Sequence, residues 1–194
     1  MMEYSVEELR KRNRNLRDGL DQAAQYLASI NLGERIISLP EYKRADRIAV
    51  YFAVNGEISL DFVIDQALAQ AKQIFLPNLN QQSLRFSPFF HGQKMRINRY
   101  QLPEPDVGDG EMLAPEALDL VLAPLVVFDA KRNRIGMGGG FYDRSFAFIR
   151  ESIQSEPRPV LIGVAHELQK VEQLEPEDWD VQLDMVVTDQ AIYR

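Results

Sequence analysis

Residues 134–144 read R-I-G-M-G-G-G-F-Y-D-R and place glycines between two cations, with an acid before the second cation. Glycine lets the backbone adopt positive φ and approach a ligand without a Cβ in the way. Successive backbone N–H groups in such a loop can bind phosphate oxygens, and Arg134 would add a planar, permanently charged guanidinium. Asp143 is a hard oxygen ligand of the kind that Mg²⁺ takes. The spacing therefore predicts a nucleotide-phosphate loop, with a flexible glycine-rich turn as the alternative.

The segment differs from the two commonest phosphate motifs. A Walker A loop ends in Gly-Lys-Ser or Gly-Lys-Thr, and neither follows these glycines. A dinucleotide fingerprint needs G-x-G-x-x-G at the first strand-to-helix turn, whereas this segment lies late in the chain and reads G-M-G-G-G-F. The pattern therefore indicates phosphate binding of another kind.

The composition is that of an ordinary globular domain. The chain has 194 residues, 45% of them hydrophobic, which suffices for one domain with a sizeable core. It has no cysteine, so disulfides, thiolate metal sites and a cysteine nucleophile are excluded. No apolar run approaches the roughly 20 residues of a membrane span, and residues 1–20 lack the apolar core of a signal peptide. We therefore expect a single cytoplasmic domain over residues 1–194, with no membrane partner.

The charge pattern narrows the class of ligand. The net charge is −7, which argues against a nucleic-acid partner because nucleic-acid-binding domains are usually basic. The cations nevertheless cluster within residues 10–17, 94–99 and 131–134. Such clusters in an acidic protein favour a small polyanionic ligand, with solvated helix and loop faces as the alternative.

Hydrophobic periodicity predicts an α/β protein. The predicted helices cover 6–29, 32–38, 60–72 and 141–152, and the predicted strands cover 47–53, 73–76, 84–90, 118–128, 159–165 and 184–188. A long loop is predicted over 99–116. Because helices alternate with continuous apolar strands, we expect three layers: a mixed, mostly parallel sheet with helices on both faces. In such sheets ligands bind beyond the carboxyl ends of the strands, where both Glu57 and the glycine segment fall.

In combination, the motifs resemble those of the 5-formyltetrahydrofolate cyclo-ligase family, also called methenyltetrahydrofolate synthetases. The most specific match is P-L-V-V-F-D-A-K-R-N-R-I-G-M-G-G-G-F-Y-D-R at residues 124–144. Four further segments agree in order: the basic start at 9–14, Y-F-A-V-N-G-E-I at 51–58, L-P-E-P at 102–105 and P-E-D-W-D-V-Q-L-D-M-V-V-T at 176–188. The resemblance thus spans nearly the whole chain.

The resemblance implies a fold, a reaction and a set of ligands. The fold would be Rossmann-like and similar to that of sugar-phosphate isomerases and CoA-transferases. The enzyme would be a ligase that converts 5-formyltetrahydrofolate and ATP into 5,10-methenyltetrahydrofolate, ADP and phosphate, with Mg²⁺ as cofactor. Phosphoryl transfer depends on positioning and charge neutralisation, so no catalytic protein nucleophile is expected. The partners would be these small molecules alone, and we expect a monomer.

By resemblance, three groups of residues would form the site. ATP would contact Arg10, Arg14, Arg134, Ile135, Gly136, Met137, Gly138, Gly139, Gly140, Phe141 and Tyr142. The folate would contact Phe52, Glu57, Met137, Gly138, Gly139, Gly140 and Phe141. Mg²⁺ would be held by Asp143 and Asp180. The Glu57 carboxylate would accept two parallel hydrogen bonds from the amino-pyrimidinone edge of the pterin.

The same residues also have purely structural interpretations. Arg10 and Arg14 could form a solvated helix face, and Asp143 and Asp180 could be helix caps. Glu57 could be a surface turn acid and Phe52 a core residue.

Two positions depart from the family pattern. Val6 stands where many members have a lysine, so the phosphate contact expected there is in doubt. Phe141 replaces a tyrosine, which keeps the ring but removes the hydroxyl. His91 and His166 have no identifiable partner in the sequence, and no role is assigned to them.

Two other functions stay open at this point. An isomerase or acyl-CoA transferase on a related sheet would need a general base and no ATP, and fold alone does not exclude it. The glycine segment argues against such an enzyme. A non-catalytic folate- or nucleotide-binding protein could use the same loop, and would bind ligands without turnover.

Overall fold

The computed structural model describes residues 4–151 and 158–194. Its helices are α1 (Val6–Asp18), α2 (Gln22–Ser38), α3 (Pro40–Arg44), α4 (Asp61–Ala69), α5 (Phe141–Ser145) and α6 (Phe148–Glu151). Its strands are β1 (Arg47–Ala49), β2 (Gln73–Asn80), β3 (Ser83–Phe89), β4 (Met95–Ile97), β5 (Pro103–Pro105), β6 (Leu120–Pro124), β7 (Val127–Phe128), β8 (Arg134–Ile135), β9 (Val160–Ala165), β10 (Met185–Thr188) and β11 (Ile192–Tyr193). Within these described ranges, no helix is long and apolar enough to cross a bilayer.

Seven of the strands form one mixed, mostly parallel sheet. Its strand order is β11-β10-β9-β6-β1-β2-β3. The inner strands run parallel to one another, and the edge strands β3 and β11 pair antiparallel. The other strands form the short hairpins β4–β5 and β7–β8. The α/β class predicted from the continuous apolar strands is confirmed.

Alternate residues of the inner strands build two cores on opposite faces of the sheet. Leu120 and Ile162 point into the core that α2 and α4 cover. Val121 and Leu161 point into the core that α5 and α6 cover. Because side chains of a strand alternate between faces, a strand covered on both sides must be apolar at every position. This requirement explains the unbroken apolar runs in the sequence.

The predicted helix over 6–29 is wrong, because the chain forms two helices there. α1 begins at a complete capping box between Ser5 and Glu8 and ends at Gly19. Asp21 then caps α2, accepting a hydrogen bond of 2.7 Å from the Ala24 N–H. Aspartate stabilises a helix start better than a helix interior, so the break falls at this residue. α2 runs without interruption to Ser38, through the gap predicted at 30–31.

Strand ends also differ from prediction, and Pro77 shows why. β2 continues through Pro77 to Asn80, although a break at this proline was predicted. The backbone groups of Phe75 and Leu79 bond on the β1 side, to the Val50 N–H and to Glu104 respectively. Pro77 shares their orientation, and β1 has already ended at Ala49. The missing N–H of Pro77 therefore has no strand partner to lose.

Several shorter predictions are refined. The predicted loop over 99–116 contains β5 and 3₁₀ turns at Asp109–Glu111 and Pro115–Ala117. The predicted strand over 118–128 is divided into β6 and β7, and the predicted helix over 141–152 into α5 and α6. Residue 152 lies outside the described residues. β4, β8 and β11 were not predicted.

Gly163 in β9 has no room for a side chain. A Cβ at this position would lie 2.5 Å from Leu183 Cδ1 and 2.8 Å from Leu125 Cδ2. We expect Gly163→Ala to lower the free energy of unfolding by about 1–3 kcal/mol, because overpacking a closed core forces its neighbours to move. Urea denaturation measures the change.

Gly110→Ala is the matched control, since nothing lies within 4 Å of a Cβ there. It should change the free energy of unfolding by no more than about 0.5 kcal/mol. Equal effects of the two substitutions would contradict the close packing of β9.

Candidate active site

The glycine loop (residues 136–140) joins β8 to α5. Gly138 and Gly140 have φ values of 99° and 61°, a region that other residues adopt at a cost. A Cβ at Gly139 would lie 2.8 Å from the Phe141 ring. The loop can therefore expose its backbone only with glycine at these positions.

Helix α1 lies against this loop through Arg10. The Arg10 Nε donates a hydrogen bond of 2.9 Å to the Gly136 carbonyl. The Arg10 guanidinium carbon also lies 3.5 Å from where a Cβ of Gly138 would be. Arg14 does not reach the loop directly: its Nε bonds to the Arg10 carbonyl at 3.4 Å, and its guanidinium pairs with Glu7 at 3.5 Å. Of the two predicted phosphate ligands in α1, Arg10 thus contacts the loop. Arg14 lies one helical turn away from it.

Arg134 and Asp143, at the two ends of the loop, contact each other. The Arg134 Nη2 and the Asp143 Oδ1 form an ion pair in which the arginine side chain is only 7% exposed. The Arg134 Nη1 also donates to the Val181 carbonyl. The Val181 N–H donates to the same Asp143 Oδ1 at 3.2 Å. The loop is therefore closed at its base and held to the segment that contains Asp180.

The two predicted metal ligands lie in one neighbourhood, because Asp143 bonds to the residue next to Asp180. Asp143 uses Oδ1 for Arg134 and Val181. Asp180 uses Oδ2 to accept a hydrogen bond of 2.9 Å from the Glu177 N–H. This bond closes a turn rather than capping a helix, since no helix lies at Asp180. In the described part of the chain, no cluster of three or more histidine, aspartate or glutamate side chains forms a ready metal cage.

Glu57 ends a tight turn at the carboxyl end of β1. Asn55 and Gly56 have positive φ values of 51° and 70°. The Glu57 Oε2 accepts a hydrogen bond of 3.1 Å from the Val54 N–H. Burial raises the pKa of Glu57, while the Val54 N–H and the charge of Arg17 oppose the increase. Glu57 is therefore a half-buried acid in a shaped turn.

Aromatic residues connect the Glu57 turn with the glycine loop. Burial raises the pKa of Tyr142, and the nearby charge of Glu57 adds to the effect. Tyr142 of α5 therefore lies close enough to Glu57 to feel its charge. Phe141 meets the Tyr100 ring edge-on, with ring centres 5.7 Å apart. Phe52 packs edge-on against Phe89 at 5.3 Å and borders a core, so packing is its visible role.

The remaining predicted residues of the loop region differ in exposure. Met137 is half exposed, at 52%, whereas Ile135 packs against a small core with Val126 and Val127. His91 lies on the surface beside Asp65. His166 is buried, at 2% exposure.

Asp129 is a residue of the site region that the sequence did not identify. Its buried carboxylate accepts hydrogen bonds from the Lys131 and Asn133 N–H groups, the Asn133 side chain and the Leu174 N–H, at 2.9–3.0 Å. These bonds shape the turn between β7 and β8, where Arg132 has a φ of 71°. The D-A-K-R-N spacing of acid and amide was the available signal.

We expect Asp129→Asn to lower the free energy of unfolding by about 1–3 kcal/mol, the cost of leaving a buried polar group unsatisfied. The side-chain nitrogen of the new asparagine is a donor, and it would replace an acceptor oxygen that now faces N–H groups. Chemical denaturation tests this, with Asp65→Asn as the exposed control, which should stay within about 0.5 kcal/mol of the parent. If the two variants were equally stable, Asp129 would not be the anchor of this turn.

Comparison with known proteins places the chain in a family. The sequence model of the 5-formyltetrahydrofolate cyclo-ligase family matches residues 3–189. The 5-formyltetrahydrofolate cyclo-ligase of Haemophilus influenzae is 34% identical over 180 residues, covering 91% of this chain and 94% of that protein. The enzyme of the same name from Escherichia coli K12 is 33% identical over 163 residues, covering 82% and 87%.

A solved structure supports the same assignment. The NMR structure of 5,10-methenyltetrahydrofolate synthetase from Aquifex aeolicus matches with a TM-score of 0.81 and 27% identity, over 97% of this chain and 92% of that one. The family match covers the glycine loop, the Glu57 turn and the Asp180 segment together. The chain therefore belongs to the 5-formyltetrahydrofolate cyclo-ligase family.

Proposed function

We propose that this protein is an ATP-dependent ligase that cyclises 5-formyltetrahydrofolate to 5,10-methenyltetrahydrofolate. The observation that supports this most is the glycine loop, which is closed by Arg134 and Asp143 and contacted by Arg10. The charge of Glu57 acts on Tyr142, in the helix that follows the loop. The site thus combines groups that can bind phosphate with a half-buried acid that could bind a pterin. Family membership gives the reaction, and the site offers the groups that the reaction needs.

The chemistry explains why such groups suffice. A formamide oxygen is a poor leaving group, so transfer of the γ-phosphoryl group of ATP to that oxygen, with release of ADP, activates the formyl carbon. The N10 amine then attacks this carbon and loses its proton. Phosphate leaves with the former formyl oxygen, and the ring closes. Positioning and charge neutralisation drive phosphoryl transfer, so the protein needs no covalent nucleophile.

The nucleotide would lie on the glycine loop. Its backbone N–H groups can bind phosphate oxygens, and Arg10 already reaches this backbone. Arg14 lies one turn along α1 and can approach the same phosphates by exchanging its exposed pairing with Glu7. Exposed ion pairs of this kind contribute little stability, so the exchange costs little.

The carboxylates fit Mg²⁺ as the cofactor. Asp143 and Asp180 are hard ligands held in one neighbourhood by Val181, and Mg²⁺ usually takes one or two carboxylates together with substrate phosphates and water. Each carboxylate uses one oxygen in the described contacts and has a second one available. When bound, Mg²⁺ would neutralise the charge of the transferring phosphoryl group. Arg134 would stay close enough to share that task.

The folate would lie between the Glu57 turn and α5. An ionised Glu57 can accept two parallel hydrogen bonds from the pterin edge. Met137 and Phe141 offer apolar contact area. Phe52, which packs against Phe89, would support the turn. The ligands are thus small molecules, and a monomer holds every residue that the proposed site uses.

Near-ultraviolet absorbance tests the proposal directly. Purified protein is mixed with 5-formyltetrahydrofolate and MgATP, because the methenyl product absorbs at longer wavelength than the substrate. We expect an increase that needs protein, folate and MgATP together. Binding of both ligands without an increase would indicate a non-catalytic binding protein instead.

Asp143→Asn tests the metal role. Turnover should fall about 100-fold, as when one preorganised electrostatic contact is removed, and the Mg²⁺ concentration for half-maximal rate should increase. The asparagine can still accept from Val181, so the variant should remain folded. Asp178→Asn, at an exposed neighbouring carboxylate, is the control. Unimpaired turnover, or a loss without any change in Mg²⁺ dependence, would contradict the metal role of Asp143.

A further inference from the structure

Arg144, in α5, joins the glycine loop to the turn between β2 and β3. Its Nη2 donates a hydrogen bond of 2.5 Å to the Gly139 carbonyl, and its Nε donates one of 2.6 Å to the Gln82 carbonyl. Its guanidinium carbon also lies over the Phe141 ring, 5.2 Å from the ring centre. Because the guanidinium carries its N–H donors in a rigid planar fork, this one side chain holds two separate carbonyls in fixed relation.

The β2–β3 turn gives Arg144 a fixed support. The two strands stay paired up to the residues on either side of Gln81 and Gln82, so these two residues alone form the turn. The Gln81 carbonyl accepts a hydrogen bond of 2.9 Å from the Arg99 side chain. The carbonyl to which Arg144 bonds therefore belongs to a tight, anchored turn at the end of the sheet.

Glycine at position 140 lets Arg144 come this close to the loop. A Cβ at Gly140 would lie 2.6 Å from the Arg144 Nη1, a distance that two non-bonded atoms do not adopt. Gly140 also has a φ of 61°, where a side chain costs free energy. Any side chain at this position would therefore displace the guanidinium from the Gly139 carbonyl.

The contact with Arg144 sets the direction of the peptide group between Gly139 and Gly140. In a trans peptide the C=O and the N–H point in opposite directions. Because the Gly139 carbonyl points to Arg144, the Gly140 N–H points away from it. Within the described ranges, no residue accepts a hydrogen bond from this N–H. At the start of the loop, Arg10 holds the Gly136 carbonyl in the same way.

We propose that Arg144 is a positioning residue of the nucleotide site, which holds the Gly139 carbonyl so that the Gly140 N–H faces a phosphate oxygen. This inference rests on the proposed function, in which the glycine loop binds ATP. Two adjacent glycines leave their peptide group many orientations, and a carbonyl turned toward the phosphate would be a second acceptor facing an acceptor. Orienting the donor before the ligand arrives lowers the cost of binding.

Other contacts hold α5 in place when Arg144 is replaced. The buried Ser145 hydroxyl accepts a hydrogen bond of 2.8 Å from the Leu84 N–H of β3 and donates one of 2.7 Å to the Phe141 carbonyl. The ion pair at the base of the loop does not involve Arg144. Because Arg144 is itself exposed, its replacement should change the loop and leave the fold intact.

The test compares Arg144→Gln with wild type in the KM for ATP and the KM for 5-formyltetrahydrofolate. The KM for ATP should increase about tenfold, the effect of losing one hydrogen bond to a charged group. The KM for the folate should change less than about twofold. Arg144→Lys keeps the charge on a single nitrogen and lacks the fork, so it should recover only part of the loss.

Three results would overturn the inference: an unchanged KM for ATP in Arg144→Gln, an equal loss for both substrates, or full recovery in Arg144→Lys. An equal loss would indicate a general structural role. Full recovery would indicate that the charge alone acts on the nucleotide.

Nuclear magnetic resonance of protein labelled with ¹⁵N-glycine follows the peptide group itself. The Gly140 amide proton of wild type should shift downfield when MgADP is added, because its N–H then donates to a phosphate oxygen. This shift should be much smaller in Arg144→Gln at a saturating MgADP concentration. A Gly140 amide that does not respond in wild type, or that responds equally in both proteins, would overturn the inference.

Arg35→Gln is the matched control, since the Arg35 guanidinium also bonds to two backbone carbonyls, those of Asn31 and Gln190, at 2.9 and 3.1 Å. Arg35 lies in α2, on the opposite face of the sheet from α5. Its replacement should leave both KM values and the Gly140 response unchanged, and an increase in the KM for ATP equal to that of Arg144→Gln would overturn the inference. Absence of turnover in wild type would instead contradict the proposed function, so the two failures are distinguishable.

Discussion

The ion pair between Arg134 and Asp143 is the contact on which the glycine loop depends. Arg134 precedes the loop and Asp143 follows it, so the pair closes the loop at its base. Arg134 is nearly buried, so its charge depends on Asp143 as its partner. Because Val181 bonds to both partners, the same contact fixes the loop to the segment that contains Asp180. The ion pair thus gives a defined shape to a loop whose glycines could each adopt many backbone conformations.

The topology brings the other groups to this loop. The parallel strands β1 and β6 end at the same edge of the sheet, where the Glu57 turn and the β7–β8 hairpin follow them. α1 lies over that edge and supplies Arg10 to the loop and Arg17 to the turn. An acidic chain thereby concentrates positive charge where an anionic ligand would bind.

The sequence predicted the interior of the fold better than its boundaries. Continuous apolar runs identified β6 and β9, since strands covered on both faces have no alternative composition. The apolar periodicity over 6–29 concealed the break between Gly19 and Asp21, because the periodicity continues from the first helix into the second. The extension of β2 through Pro77 depended on where a neighbouring strand ends, which is a tertiary fact. Short hairpins such as β4–β5 have too few residues for a periodic signal.

The candidate site was predictable where its residues are adjacent in sequence. The glycine segment, Arg134 and Asp143 could be identified from spacing, and Arg10 was identified by resemblance. The contact between Arg17 and the Gly56 turn could not be predicted, because the two residues are distant in sequence. The anchoring role of Asp129 likewise depends partly on Leu174, far along the chain.

The most direct test of the account follows the formyl oxygen. 5-Formyltetrahydrofolate labelled with ¹⁸O in its formyl group is converted by the protein with MgATP, and the released phosphate is analysed by mass spectrometry. Phosphorylation of the formyl oxygen predicts one ¹⁸O atom in each phosphate formed. Unlabelled phosphate alongside methenyl product would contradict it, because the oxygen would then have left by another route.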